Sequence, residues 1–186
     1  MYRLHLAAVC LLALCGLAGS GELSGVTMPD TIMVDDGTLV LNGMGQRKKM
    51  WVEVYVGGLY LPARSADAGQ ILASEGPWRL TMHFLHKKVD KEKLDGAWMD
   101  GFRNNSPDIL TSHPGDIERF LSCFPDIFKG QEVTLTHLPA TGLHVAVAGE
   151  TKQLFAPGVF PKAVLAIWLG PQPPSEDLKK GLLGIS

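Results

Sequence analysis

Cysteine is scarce in this 186-residue chain: there are three, and two of them, Cys10 and Cys15, fall within the first twenty residues. With that segment removed only Cys123 remains, which excludes an internal disulfide. Cys123 lies in the apolar run from Phe120 to Phe124, where a small buried hydrophobe is the expected role. Stability must then come from packing. No apolar run reaches the roughly 20 residues that a spanning helix needs. Nor is there a basic tract of the kind that marks a membrane surface. With 17 Lys and Arg against 19 Asp and Glu, nothing points to nucleic acid. A Gly-x-Ser-x-Gly elbow is missing, and Gly43-x-Gly45 lacks the third glycine and the following helix of a phosphate loop. His113, His137 and His144 have no Cys or acidic partner at ligand spacing, so neither a metal nor a cofactor is expected. Tyrosine is rare, confined to Tyr2, Tyr55 and Tyr60. No Ser or Thr occurs between Thr151 and Ser175.

The opening of the chain reads as a secretory signal peptide, residues 1–20. Arg3 and His5 make a short polar head, Leu6 to Leu17 an apolar stretch, and Ala18-Gly19-Ser20 a small-residue cleavage site. Its loss makes the mature charge slightly more negative than the −2 of the whole chain. The expectation is a secreted or periplasmic protein, one domain over residues 21–186, with no stable membrane span after processing. A hydrophobic content of 46% is ample for its core.

The stretch from Asn42 to Leu61 carries the densest chemistry. It reads as a glycine-spaced turn at Gly43 and Gly45 followed by an alternating strand. Met50, Val52, Val54 and Val56 form its core face. Arg47, Lys49, Trp51, Glu53 and Tyr55 form the other, and Gly57-Gly58 reads as a bulge or bend. Upstream, Gly21 to Pro29 reads as a polar lead-in. A hairpin follows, from Ile32 to Leu41, turning at Asp35-Asp36-Gly37. Downstream, a short helix capped by Ser65 precedes a strand from Trp78 to Leu85 that alternates cleanly. Asp90 starts a helix with Leu94, Trp98 and Phe102 on its inner side. A second helix runs from about Pro114 to Phe124. Strands at 132–137, 143–147 and 152–155 come next. Pro161 opens a nearly all-apolar helix, Gly170 closes it, and Ser175 caps a last one. This order gives an α+β fold, a curved antiparallel sheet with helices on one face.

Three sets of residues resemble the chalcone isomerase-like proteins of bacteria. They are Leu41-Asn-Gly-x-Gly-x-Arg47 with Val54-Tyr-Val-x-Gly-Leu-Tyr-Leu61, Ala97-Trp98-x-x-Gly101-Phe102 with Asn104, and Phe160 to Pro173 with Leu182-Leu-Gly184. The resemblance runs from about Gly25 to Gly184. It implies the open-faced β-sandwich of that family, with a ligand cleft beside the sheet. Plant chalcone isomerases guide an anionic substrate with an arginine and polarise its ketone with a tyrosine, an asparagine and Ser or Thr hydroxyls. Relatives without that set include fatty-acid-binding proteins, in which an arginine and a tyrosine hold a carboxylate.

Here the arginine position is Arg47, and Tyr55 stands where the first catalytic threonine belongs. The downstream tyrosine and the late hydroxyl have no counterpart, while Asn104 and Asn105 fall near the asparagine. Without those donors a developing oxyanion has little to stabilise it, so chalcone cyclisation is not expected. Arg47 can take a carboxylate in a two-pronged grip, or can pair with Glu53 on the same face. Tyr55 fits as second donor to that ligand, or as a half-buried strand aromatic. Trp51 would line a cleft wall, or pack at the sheet edge. The leading expectation is a non-catalytic module binding a small amphipathic anion, a fatty or aromatic acid. An isomerase or intramolecular lyase using Tyr55 as general acid is the second reading. A structural or partner-binding protein with a vestigial cleft is the third.

Overall fold

The computed structural model describes residues 20–185; the expected signal peptide lies outside them except for Ser20. The chain opens with β1 (Ser20–Leu23) and β2 (Val26–Pro29), then β3 (Thr31–Val34), β4 (Gly37–Lys49) and β5 (Val52–Leu61). Helix α1 (Ala68–Ala73) leads to β6 (Trp78–Phe84) and a two-residue β7 (Lys88–Val89). Helices α2 (Lys91–Asn105), α3 (Ile109–Ser112) and α4 (Pro114–Ser122) follow, then β8 (Ile127–Phe128). Strands β9 (Glu132–Leu138), β10 (Gly142–Val147) and β11 (Glu150–Phe155) precede α5 (Val159–Leu169) and α6 (Glu176–Leu182).

Seven strands form one sheet in the order β11-β10-β9-β6-β5-β4-β3, every neighbouring pair antiparallel. Sequence order is thus preserved across the sheet. The helices α2, α3 and α4 are an excursion between β6 and β9, and they cover one face with α5. On that face Leu80, Met82, Phe84, Leu135 and Val145 are fully or almost fully buried against Phe102, Phe120 and Trp168. This is the α+β fold that the alternation and helical spacing anticipate. The clean alternation of β6 and the nearly all-apolar α5 are found as expected, α5 beginning at Val159, two residues before Pro161.

Other expectations change. The lead-in at 21–29 is the β1–β2 hairpin, turned at Ser24 and Gly25, both with positive φ. It packs Val26 and Met28 against Leu39, Leu41, Val56 and Tyr60, a second small core on the opposite face of the sheet. Its polar composition conceals two buried side chains. The β3–β4 turn is Asp35-Asp36, with Gly37 already paired to Val34 in the ladder. Asp67, not Ser65, caps α1, its carboxylate accepting from the Gln70 N–H at 3.0 Å. The helix expected over 114–124 ends at Ser122 and is preceded by the separate turn α3.

The largest correction falls on residues 42–61. They are not one strand but the two arms of a hairpin, reversing at Met50 and Trp51. Gly43 and Gly45 lie inside β4. They are glycines because α6 rests on them: a Cβ at Gly43 would stand 2.2 Å from the Gly181 carbonyl oxygen, and one at Gly45 2.4 Å from that of Leu178. Gly57 and Gly58 stay in register with both neighbours, so there is no bulge there. The bulges of this ladder lie at Asn42 on β4 and at Val54 on β5, where the pairing skips one residue.

Candidate functional site

The β4–β5 hairpin sets Arg47 directly opposite Tyr55. Paired residues on adjacent strands point to the same side of a sheet. Eight residues apart on a single strand they would be roughly 26 Å apart; across the hairpin they are neighbours. Val54, the bulged residue just before Tyr55, upsets the simple odd–even division of this strand. Both Val54 and Tyr55 pack on the helical-side core.

Tyr55 is only 8% exposed. Its ring tilts against Phe84 at 5.5 Å, and its hydroxyl oxygen accepts a hydrogen bond from Trp168 Nε1 at 2.9 Å. Burial pushes its pKa up to about 12, against smaller lowering effects of the Trp168 bond and the Arg47 charge. The phenol is therefore a neutral donor and acceptor at ordinary pH. Trp168, from α5, meets the edge of Trp98 on α2 at 5.4 Å. Trp98 also packs on Phe120 and Phe124, and its Nε1 is buried without an acceptor among the described residues. Arg47, Tyr55 and Trp168 thus follow one another inward, and Trp168 rests by ring contact on Trp98.

Arg47 is half-buried and donates through Nη1 to the Lys48 carbonyl. Among the described residues it has no carboxylate partner. Glu53, its expected alternative, is instead 3.5 Å from Lys48 Nζ. Trp51 stands 89% exposed at the tip of the hairpin, neither in a cleft wall nor packed against the sheet edge.

Asn105 has its side chain committed elsewhere. Its amide donates to the Gly101 and Gln172 carbonyls and accepts from the Gln172 N–H, fastening the end of α2 to the segment after α5. Asn104 is exposed. Two grooves, of about 330 and 260 Å³, open elsewhere. One lies between α1, α3 and α5, the other beside Leu61 and Trp78, and neither is lined by Arg47, Tyr55 or Trp51. The role of Trp168 was missed in the sequence. The available signal was that a buried indole needs an acceptor, and a tyrosine on the facing sheet can supply one.

The Tyr55–Trp168 bond carries a prediction. Tyr55→Phe leaves the indole N–H buried and unpaired, and is expected to cost about 1–3 kcal/mol of stability in a denaturant titration. Tyr60, whose hydroxyl donates to the Pro29 carbonyl at 3.0 Å, also has its pKa raised to about 12, chiefly by burial. Both folded values lie above the ordinary 10.0. The contribution of these phenols is full below about pH 10 and is lost as pH rises through about 12. The denaturation midpoint is therefore expected to fall steeply over that window, and less steeply in Tyr55→Phe. A flat midpoint to pH 12 would contradict the burial of both hydroxyls.

Comparison with known proteins agrees with this architecture. A family model described as chalcone isomerase-like matches residues 20–184. A crystal structure of an Arabidopsis thaliana fatty-acid-binding protein superposes with a TM-score of 0.69 at 17% identity, covering 89% of this chain and 96% of the other. At that identity the likeness concerns the fold, which is the chalcone isomerase fold. No curated protein sequence matches the chain. With the family model spanning both the sheet and the helices packed on it, the chain belongs to the chalcone isomerase-like family.

Proposed function

We propose that this protein binds a small amphipathic carboxylate without transforming it, the head group held by Arg47 and Tyr55. The observation that carries this reading is a half-buried Arg47 with no carboxylate partner among the described residues, set opposite a buried tyrosine. Arg47 supplies the forked donors that match a carboxylate. Tyr55 already accepts from Trp168, which leaves its own proton to donate. A similar fold in a protein that binds fatty acids adds support. Because the space beside Tyr55 is filled by Phe84 and Trp168, long tails must displace side chains, and short or aromatic acids fit better.

Catalysis on the same site is disfavoured by the phenol itself. A general acid works best with a pKa near the working pH, and Tyr55 at about 12 is far from it. The partner-binding reading draws support from the same filled interior. We also propose that the protein is exported and loses residues 1–20; an intact mass beginning at Gly21 is the expected result.

Native mass spectrometry of protein purified from its host, beside Arg47→Ala, separates these readings. The expected result is a carboxylic acid carried by the wild type and missing from the variant. A wild type with no adduct, even after incubation with a panel of fatty and aromatic acids, would move the assignment to partner binding.

A further inference from the structure

We propose that the end of the sheet bearing the β4–β5 turn is a docking surface for an anionic lipid bilayer. Met50, Trp51 and Val52 are consecutive and 79%, 89% and 39% exposed. Phe128, at the same end on β8, is 48% exposed. Met50 holds φ at 56°, a left-handed conformation that glycine or asparagine adopts more readily. A large apolar side chain is kept at the turn despite that cost.

Backbone hydrogen bonds draw the neighbouring loops into one surface. The Leu85 N–H donates to the Val54 carbonyl at 2.9 Å, that of Gly130 to Phe84 at 2.8 Å, and that of Lys129 to Lys87 at 3.3 Å. Lys49, Lys87 and Lys129 are exposed here, and none has an acidic partner among the described residues. Of the acidic groups of this end, Glu53 pairs with Lys48, Asp90 and Asp126 share Lys88, with Lys93 also on Asp90, and Glu132 hydrogen-bonds His83. The result is a set of apolar tips beside three ammonium groups that no carboxylate pairs among the described residues. No basic tract marks it in the sequence, because the lysines come from three separate loops.

That chemistry fits a lipid surface better than a folded partner. Separate side chains projecting from loop tips enter the headgroup region, where an indole is at home and lysines meet anionic lipid. A stable protein interface would instead call for a continuous patch of about 800 Å² on each side. The residues involved are distinct from the Arg47–Tyr55 pair, so the surface stands whether or not a carboxylate binds there.

Vesicle binding tests this directly, using protein made from the full-length chain; whatever remains of residues 1–19 is common to every variant. Trp78, Trp98 and Trp168 are buried, so Trp51 is the tryptophan that solvent reports on. Vesicles of phosphatidylglycerol are expected to shift the emission to the blue and sediment the protein, whereas phosphatidylcholine alone does not. Each lysine near an anionic surface is worth about a fivefold change in partitioning. Reversing three of them in K49E/K87E/K129E is therefore expected to weaken binding more than tenfold. M50S/W51S is expected to do the same by sedimentation, with an unchanged melting point in both. The proposal is overturned if phosphatidylglycerol leaves emission and sedimentation unchanged, or if both variants bind as the wild type does. Self-association without vesicle binding, abolished by M50S/W51S, would assign the tip to a second copy instead.

Discussion

Replacing Gly43 by alanine is expected to remove about 3 kcal/mol of stability, the upper end of the usual overpacking range. The added Cβ would meet the Gly181 carbonyl oxygen at 2.2 Å, the Gly184 nitrogen at 2.6 Å and the Leu182 carbonyl oxygen at 2.9 Å. All three are backbone atoms. A flexible side chain could swing away; a helix and the turn that ends it can yield only by lifting α6 from β4. The contact is reciprocal, since a Cβ at Gly181 would stand 2.4 Å from the Met44 carbonyl oxygen. For a domain of this size, a loss of that order lowers the melting point by roughly 6–12 °C. Gly96→Ala is the contrast. Apart from the backbone of its own helix α2, no atom lies within 4 Å of its added Cβ, so alanine there is expected to stabilise by roughly 0.5–1 kcal/mol. Equal melting points for the two variants would mean that α6 is not seated on the strand.

Asn42→Leu is expected to cost a comparable amount, again about 3 kcal/mol, for a different reason. Asn42 is buried at the first bulge of β4. Its amide donates to the Leu182 carbonyl at 2.8 Å and the Ser65 carbonyl at 3.0 Å, and its oxygen accepts from the Ser65 N–H at 2.7 Å. Leucine keeps the size and leaves three backbone groups without partners. Asn42→Asp separates hydrogen bonding from shape. It preserves the acceptor but turns a carboxylate toward two carbonyl oxygens, so its deficit is expected to shrink as pH falls and the carboxyl protonates. A pH-independent Asn42→Asp, or an Asn42→Leu within 0.5 kcal/mol of wild type, a deficit far below the expected one, would show that the bulge is not held this way.

These two positions show where sequence patterns stop being informative. Strand β6 and helices α2 and α5 were legible because their periodicity is local. Gly43 and Gly45 were readable only as turn formers, since the helix that requires them lies some 140 residues later in the chain. The bulges at Asn42 and Val54 each shift the side-chain parity by one. An alternation count carried through them assigns residues to the wrong face. Arg47 and Tyr55 could be singled out by their chemistry and by the family resemblance, yet their spacing was misread: they face each other across a hairpin rather than lining up along a strand. The β1–β2 hairpin was hidden by its polar composition, though Ser24-Gly25 is a usable turn signal.

The seam between α6 and β4 also bears on the order in which the molecule assembles. The bond from Asn42 to Leu182 spans 140 residues. Hairpins β3–β4 and β4–β5 can pair soon after they are made, but loop closure this long is slow and comes late. Until it forms, the backbone over Gly43 and Gly45 has no cover on that face, and the strand is ordered by its ladder and by the β1–β2 hairpin on the opposite face. The residues from Ser175 to Gly184 therefore act as a latch, and the seating of β4 is completed only when they close over it.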